Sequence, residues 1–139
     1  MKQKFFKRLA AAAVLLLGAA TATAYDFKVD EIYYNLDNWS YTATVTNGDR
    51  PYYGYIYIPE NIMYNGNTYD VTSIDQVAFM SSNITGVRIP NTVTAIAGGA
   101  FSYCDQLKSI DLESGNPVYD SRDNCNAIVK TATNTMICG

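Results

Sequence analysis

Charged side chains make up 17% of this 139-residue chain, and histidine is missing altogether. Without imidazole, Ser-His-Asp and Cys-His nucleophiles, His-containing zinc sites and haem held by histidine all fall away. Three cysteines remain, Cys104, Cys125 and Cys138, so at least one is unpaired. Cys125 and Cys138 bracket an apolar, turn-containing stretch and are able to meet, whereas Cys104, just after Ala100-Phe101, reads as a small packed hydrophobe. A three-thiolate metal site lacks the short paired spacings that would argue for it. Asp120, Asp123, Asn124 and Asn126 gather oxygens of the kind calcium takes, but without the alternate-position ligands, glycine and bidentate glutamate of a Ca²⁺ loop. A turn in which these side chains bond the local backbone is the preferred reading. The 13 Asp and Glu residues contain no spacing that selects a pair for glycoside hydrolysis. No catalytic residue, cofactor or metal is assigned, and the chain is not read as an enzyme.

The charges are unevenly placed. Lys2, Lys4, Lys7 and Arg8 stand in the first 24 residues with no acidic partner, while the remainder carries six of the ten basic residues and all 13 acidic ones, net −7. Such a surface repels phosphate backbones, so no nucleic-acid partner is expected. The basic start, the apolar block Leu9 to Leu17 and the small residues Ala22-Thr23-Ala24 form a secretory leader, with cleavage expected after Ala24. The apolar block is shorter than the roughly 20 residues a spanning helix needs. No cysteine stands at the cut to take a lipid, and no second apolar stretch follows. The mature chain is therefore expected to be secreted or on the cell surface, with no membrane span, where disulfides are permitted.

Tyrosine dominates what is left. All 12 tyrosines lie after the leader. Strand alternation sends Tyr53, Tyr55 and Tyr57 to one face and Ile56 and Ile58 to the other. Two readings stand side by side: an aromatic surface for a protein or a glycan, or tyrosines that cover the core from one face of a sheet.

The elements that position these residues are set by a repeat. Val71, Ile74, Ala78 and Phe79 recur as Val93, Ile96, Ala100 and Phe101, each offset by 22. Ile84, Val87 and Ile89 recur as Leu107, Ile110 and Leu112 at 23, one extra residue after Phe101 accounting for the difference. The x, x+3, x+5 spacing followed by Ile89-Pro90-Asn91 fits a short strand and a turn that Pro90 enforces. One such unit cannot bury its own apolar side; stacked on its neighbour it builds a continuous aliphatic ladder in a coil of parallel strands. The outward set on these strands is Gly86 and Arg88, with Ser109 and Asp111 one coil later. Arg88 and Asp111 occupy equivalent positions, and a cross-strand ion pair between them is the preferred reading over a ligand contact.

Val71-Thr72-Ser73-Ile74-x-x-x-Ala78-Phe79 and the run from Val87-Arg88-Ile89-Pro90-Asn91 through Ala100-Phe101-x-x-Cys104 to Leu107-Lys108-Ser109-Ile110 resemble the BspA-like leucine-rich repeat family. The likeness covers roughly residues 56–112, and the opening Tyr25-Asp26-Phe27 to Asn35 is similar to that family's amino-terminal cap. Ala97 and Asp75 depart from the pattern after Ile96 and Ile74. The resemblance implies a mainly β fold: a short right-handed leucine-rich-repeat solenoid with an N-terminal antiparallel β-cap and a C-terminal β-hairpin. The expected organisation is a leader over 1–24, a cap over 25–57, repeats over 58–112 with a hairpin inserted at 62–70, and an irregular insertion with closing hairpin over 113–139. Asn65-Gly66 is the signal for the inserted hairpin.

The resemblance also implies a module that binds host or neighbouring-cell macromolecules, with an extracellular protein or glycan as partner. The candidate surface is Gly86, Arg88, Ser109, Asp111, Tyr53, Tyr55 and Tyr57. The alternatives are a structural or truncated repeat fragment without its own ligand, and a glycan-binding β-domain.

Overall fold

Alternating aliphatic and polar residues, punctuated by Asn-Gly, Pro-Asn and Asp-Asn turns, favour short strands over helices. The computed structural model describes residues 24–122 and 126–138. The expected leader, apart from Ala24, lies outside the described residues, as do Asp123, Asn124 and Cys125 and hence the expected meeting of Cys125 with Cys138. Among the described residues the regular elements are all strands: β1 (Phe27–Val29), β2 (Ile32–Asp37), β3 (Thr42–Thr46), β4 (Tyr53–Tyr57), β5 (Asn61–Tyr64), β6 (Asn67–Ile74), β7 (Asn83–Ile89), β8 (Ala95–Ile96), β9 (Ser109–Leu112), β10 (Tyr119–Asp120), β11 (Ile128–Lys130) and β12 (Thr135–Cys138).

Two parallel ladders organise the chain. In the first, β3, β6 and β8 run side by side, placing Val45, Ile74 and Ile96 in one row. In the second, β4, β7 and β9 do the same, placing Ile56, Val87 and Ile110 in one row. The steps from Ile74 to Ile96 and from Val87 to Ile110 are the 22 and 23 residues of the sequence repeat. The chain alternates between the ladders, so both rows feed one buried cluster. The corner between them is laddered too: Tyr52 packs on Phe79 with ring centroids 4.8 Å apart, and Phe79 stacks on Phe101 at 5.1 Å. Corner backbone follows suit, with Phe79 N donating to Ala100 O and Asn83 N to Tyr52 O, both at 2.9 Å.

Antiparallel strands complete the structure. β1 and β2 add to the outer edge of β3. β5 and β6 form a hairpin whose turn residues Asn65 and Gly66 both take positive φ, as a two-residue primed turn requires. β10, β11 and β12 form a separate small sheet. It meets the open ends of both ladders through side chains: Ile96 N donates to Tyr119 Oη at 2.8 Å, and Ile110 N donates to Asn126 Oδ1 at 2.7 Å. Asn116 braces the approach, its Nδ2 donating to Val93 O and its Oδ1 accepting from Val118 N and Tyr119 N. No described helix is long and apolar enough to cross a membrane.

Candidate functional site

The second ladder has one face in the core and one in water, so each of its strands contributes alternate residues to an outward surface. Ile56, Val87 and Ile110 point inward and are buried. Across the outward face the register sets Tyr55 beside Gly86 and Gly86 beside Ser109 in one row, and Tyr57, Arg88 and Asp111 in the next; Tyr53 stands opposite Asn83. The three tyrosines are 76%, 51% and 61% exposed in chain order.

These side chains hold one another. Tyr55 leans over Gly86, where a Cβ would collide with its ring and with the Ser109 hydroxyl, and donates its phenol to Asp111 Oδ2 at 2.5 Å. That carboxylate, together with partial burial, holds the Tyr55 phenol above its ordinary range. Gly86 is thus a covered position whose missing side chain makes room for the Tyr55 ring. Arg88 lies 5.6 Å from the centroid of the Tyr57 ring. Its ion pair is with Glu113 at 3.3 Å, not with Asp111, which correctly aligns with it in register but is taken by Tyr55. Glu113 is anchored in turn by accepting from Asn91 N at 2.9 Å. Sequence spacing did not single out Glu113, because it lies just past the strand; its charge two residues after Asp111 was the available signal.

Two grooves flank this face. One, of about 880 Å³, follows the open edge of β9 and is lined by Arg88, Lys108, Asp111, Glu113 and Asp120 among others. The other, of about 740 Å³, follows β4 and faces the turn between β1 and β2. Neither assembles a metal centre, and among the described residues no three His, Cys, Asp or Glu side chains are grouped to hold one. Asp120 is engaged by Arg122 at 2.9 Å and by the Thr131 hydroxyl at 2.8 Å, and the Arg122 pairing pulls its carboxyl below the usual range.

The two described thiols, Cys104 and Cys138, are not activated. Cys104 donates to Phe79 O at 2.9 Å, and burial raises its pKa. Cys138 packs against the core; burial first, and the neighbouring Cys104 second, push it up to about 11. A thiol so raised is a poor nucleophile at neutral pH. The fully displayed aromatic is elsewhere: Trp39, 97% exposed, on a β2–β3 turn shaped by Asp37, whose Oδ1 accepts from Trp39 N and Ser40 N.

Comparison with known proteins agrees with this geometry. The BspA type leucine-rich repeat region matches residues 55–130 in six copies. A leucine-rich repeat protein from Bacteroides capillosus ATCC 29799 is 34% identical with a TM-score of 0.57, the match covering 66% of each chain. One from Bacteroides ovatus ATCC 8483 is 35% identical with a TM-score of 0.58 over 66% of this chain and 24% of that one. A leucine-rich cell surface protein from Faecalibacterium prausnitzii A2-165 is 25% identical with a TM-score of 0.54 over 73% of this chain and 26% of that one. The chain thus spans about a quarter of the length of two of these three relatives. No curated protein matches it. The repeated rows at 22- and 23-residue steps and the family match over residues 55–130 agree, and the chain belongs to the BspA-type leucine-rich repeat family.

Proposed function

We propose that this chain is an exported or cell-surface repeat module that docks an extracellular protein on the outward face of β4, β7 and β9. The observation that carries the reading is the fixing of Tyr55 by Asp111 and of Tyr57 by Arg88, which Glu113 holds in turn. Side chains already ordered in the free protein lose less freedom on binding, so more of their contact energy reaches the complex. Tyrosine and arginine are also the residue types that carry most binding energy at interfaces. Charge points the same way: with net −7 after the leader, a basic patch on the partner gains in encounter rate.

The same reading makes the ladders a right-handed solenoid, with residues 25–57 as its amino-terminal cap, whose last two strands β3 and β4 start the ladders, and the β11–β12 hairpin as its closing element. It divides the chain into leader 1–24, cap 25–57, repeats 58–112 and closing segment 113–139. Three strands in each ladder favour a self-supporting module over a fragment, since repeat arrays generally need at least about three units.

The test is solid-phase binding of the purified protein to a panel of extracellular matrix and bacterial surface proteins. Tyr57→Ser and Arg88→Ser are each expected to weaken binding by about tenfold, while Met63→Ser, on the exposed side of β5, leaves it unchanged. Binding that ignores both face variants contradicts the proposal, as does binding confined to immobilised glycans.

A further inference from the structure

The two grooves beside the outward face share one set of polar contacts. Tyr55 and Tyr57 line the groove along β4, and Arg88, Asp111 and Glu113 line the one along β9. Asp111 is the register neighbour of Arg88, so the two stand on adjacent strands about 4.8 Å apart, opposite in charge and on one face. Arg88 nevertheless pairs with Glu113, the residue after β9. What keeps it from its neighbour is the Tyr55 phenol, which reaches Asp111 by lying across Gly86, where a Cβ would stop its ring.

We propose that Tyr55, Asp111, Arg88 and Glu113 form a side-chain relay with two arrangements, through which a partner that lifts Tyr55 in the β4 groove changes the charge of the β9 groove. In the first arrangement Asp111 accepts from Tyr55 at 2.5 Å and Arg88 donates to Glu113 Oε1 at 3.3 Å, as found. In the second, Tyr55 turns to the partner, Asp111 takes Arg88, and Glu113 Oε1 faces the β9 groove without its cation. Glu113 itself stays in place, because its other oxygen accepts from Asn91 N at 2.9 Å in the turn after β7. Only side chains move; the register of the strands is the same in both. The inference rests on the docking face proposed above for the partner that engages Tyr55, and it adds how that engagement is passed across the sheet.

The exchange is shallow in energy. Tyr55 and Asp111 are both exposed, and Arg88 and Glu113 are only half-buried, so no pairing here is strong enough to lock the face. The loss of one hydrogen bond to Asp111 is offset by a cross-strand ion pair between register neighbours. A partner shifts such a balance by its different affinity for the two arrangements, and the group that differs is the Tyr55 phenol. Linkage makes the effect reciprocal: a cationic group seated on Glu113 sends Arg88 to Asp111 and frees Tyr55.

The experiment compares crystal structures of the purified protein and its Tyr55→Phe variant, which keeps the ring over Gly86 and removes the phenol donor. In the variant Arg88 is expected to bond Asp111 and to leave Glu113. Urea midpoints give a second reading in solution. Glu113→Gln, which still accepts from Asn91 N, should shift the folding equilibrium about twofold toward the unfolded chain in the wild-type background and leave it unchanged in Tyr55→Phe. Arg88 remaining on Glu113 in Tyr55→Phe, or an equal effect of Glu113→Gln in both backgrounds, overturns the proposal. So does Arg88 already on Asp111 in the unaltered protein. Neither measurement uses a partner. If Arg88 moves to Asp111 in Tyr55→Phe while protein docking ignores Tyr57→Ser and Arg88→Ser, the relay stands and the docking face falls. If docking is weakened by those variants but Arg88 keeps Glu113 in Tyr55→Phe, the face stands and the relay falls.

Discussion

Residues 71–112 and residues 113–138 satisfy their backbones in different ways. In the first region amides pair with the carbonyls of the neighbouring strand, one register repeated at each pass, from Ser73 opposite Ala95 to Ile89 opposite Leu112. In the second, β10, β11 and β12 pair antiparallel with one another, and side chains meet the edge amides of the first region, Tyr119 Oη accepting from Ile96 N and Asn126 Oδ1 from Ile110 N. Backbone pairing asks only for alternating burial and a fixed step, so it recurs and adds up. Side-chain pairing needs one residue of the right length at one place, and it interrupts the repeat.

Breaking the shared interior should have the largest effect. Phe79 is fully buried between Tyr52 and Phe101, so Phe79→Ala is expected to cost about 3–5 kcal/mol, read from denaturant midpoints. A loss below ~1 kcal/mol would mean that the corner stack does not bind one pass to the next. Next comes the side-chain closure. Tyr119→Phe keeps the buried ring but leaves the Ile96 amide without its acceptor, an expected loss of about 1–3 kcal/mol. It should also raise hydrogen exchange at Ile96 ahead of Val87; an unchanged Ile96 would remove the asymmetry between the two regions.

Alkaline pH probes the same junction. The Cys138 thiol ordinarily ionises near 9 and is held to about 11 in the fold, first by burial. Below pH 9 both folded and unfolded chains keep the proton and this group gives no pH dependence. Between 9 and 11 the unfolded chain releases it first, so stability falls as pH rises, and above 11 its contribution is spent. Tyr34 and Tyr52, whose phenols burial also raises, extend the decline upward. Urea midpoints from pH 8 to 11 should fall, and Cys138→Ala should make the fall shallower. The smallest effect belongs to the outward face: Arg88→Met, which breaks a partly exposed ion pair to Glu113, should cost less than about 1 kcal/mol in stability. Against that small change, the loss in partner binding should stand out.

The interior was legible because period and burial coincide. The recurrence of Val71, Ile74, Ala78 and Phe79 placed Ile74 beside Ile96 and Phe79 against Phe101, as found. The alternation that separates Tyr53, Tyr55 and Tyr57 from Ile56 and Ile58 holds as well. Contacts on the outward face were harder to read, since no period governs them. Tyr55 reaches Asp111 from 56 residues away by crossing a glycine, which diverts Arg88 to Glu113. The strands at residues 42–57 carry little of the repeated motif, because Tyr52 stands where later corners have phenylalanine and a hairpin stretches the step from Ile56 to Val87 to 31 residues. Their parallel pairing follows from tertiary packing more than from local pattern.

The register of β4, β7 and β9 sends one row of side chains into the core and leaves the other on the outward face. Cross-strand nuclear Overhauser contacts in the isotope-labelled protein test it most directly. Contacts aligning Ile56 with Val87 and Val87 with Ile110 are the expected result. Alignment of Val87 with Ser109 or Asp111 would contradict it, because a slip of one residue exchanges the two faces of the sheet.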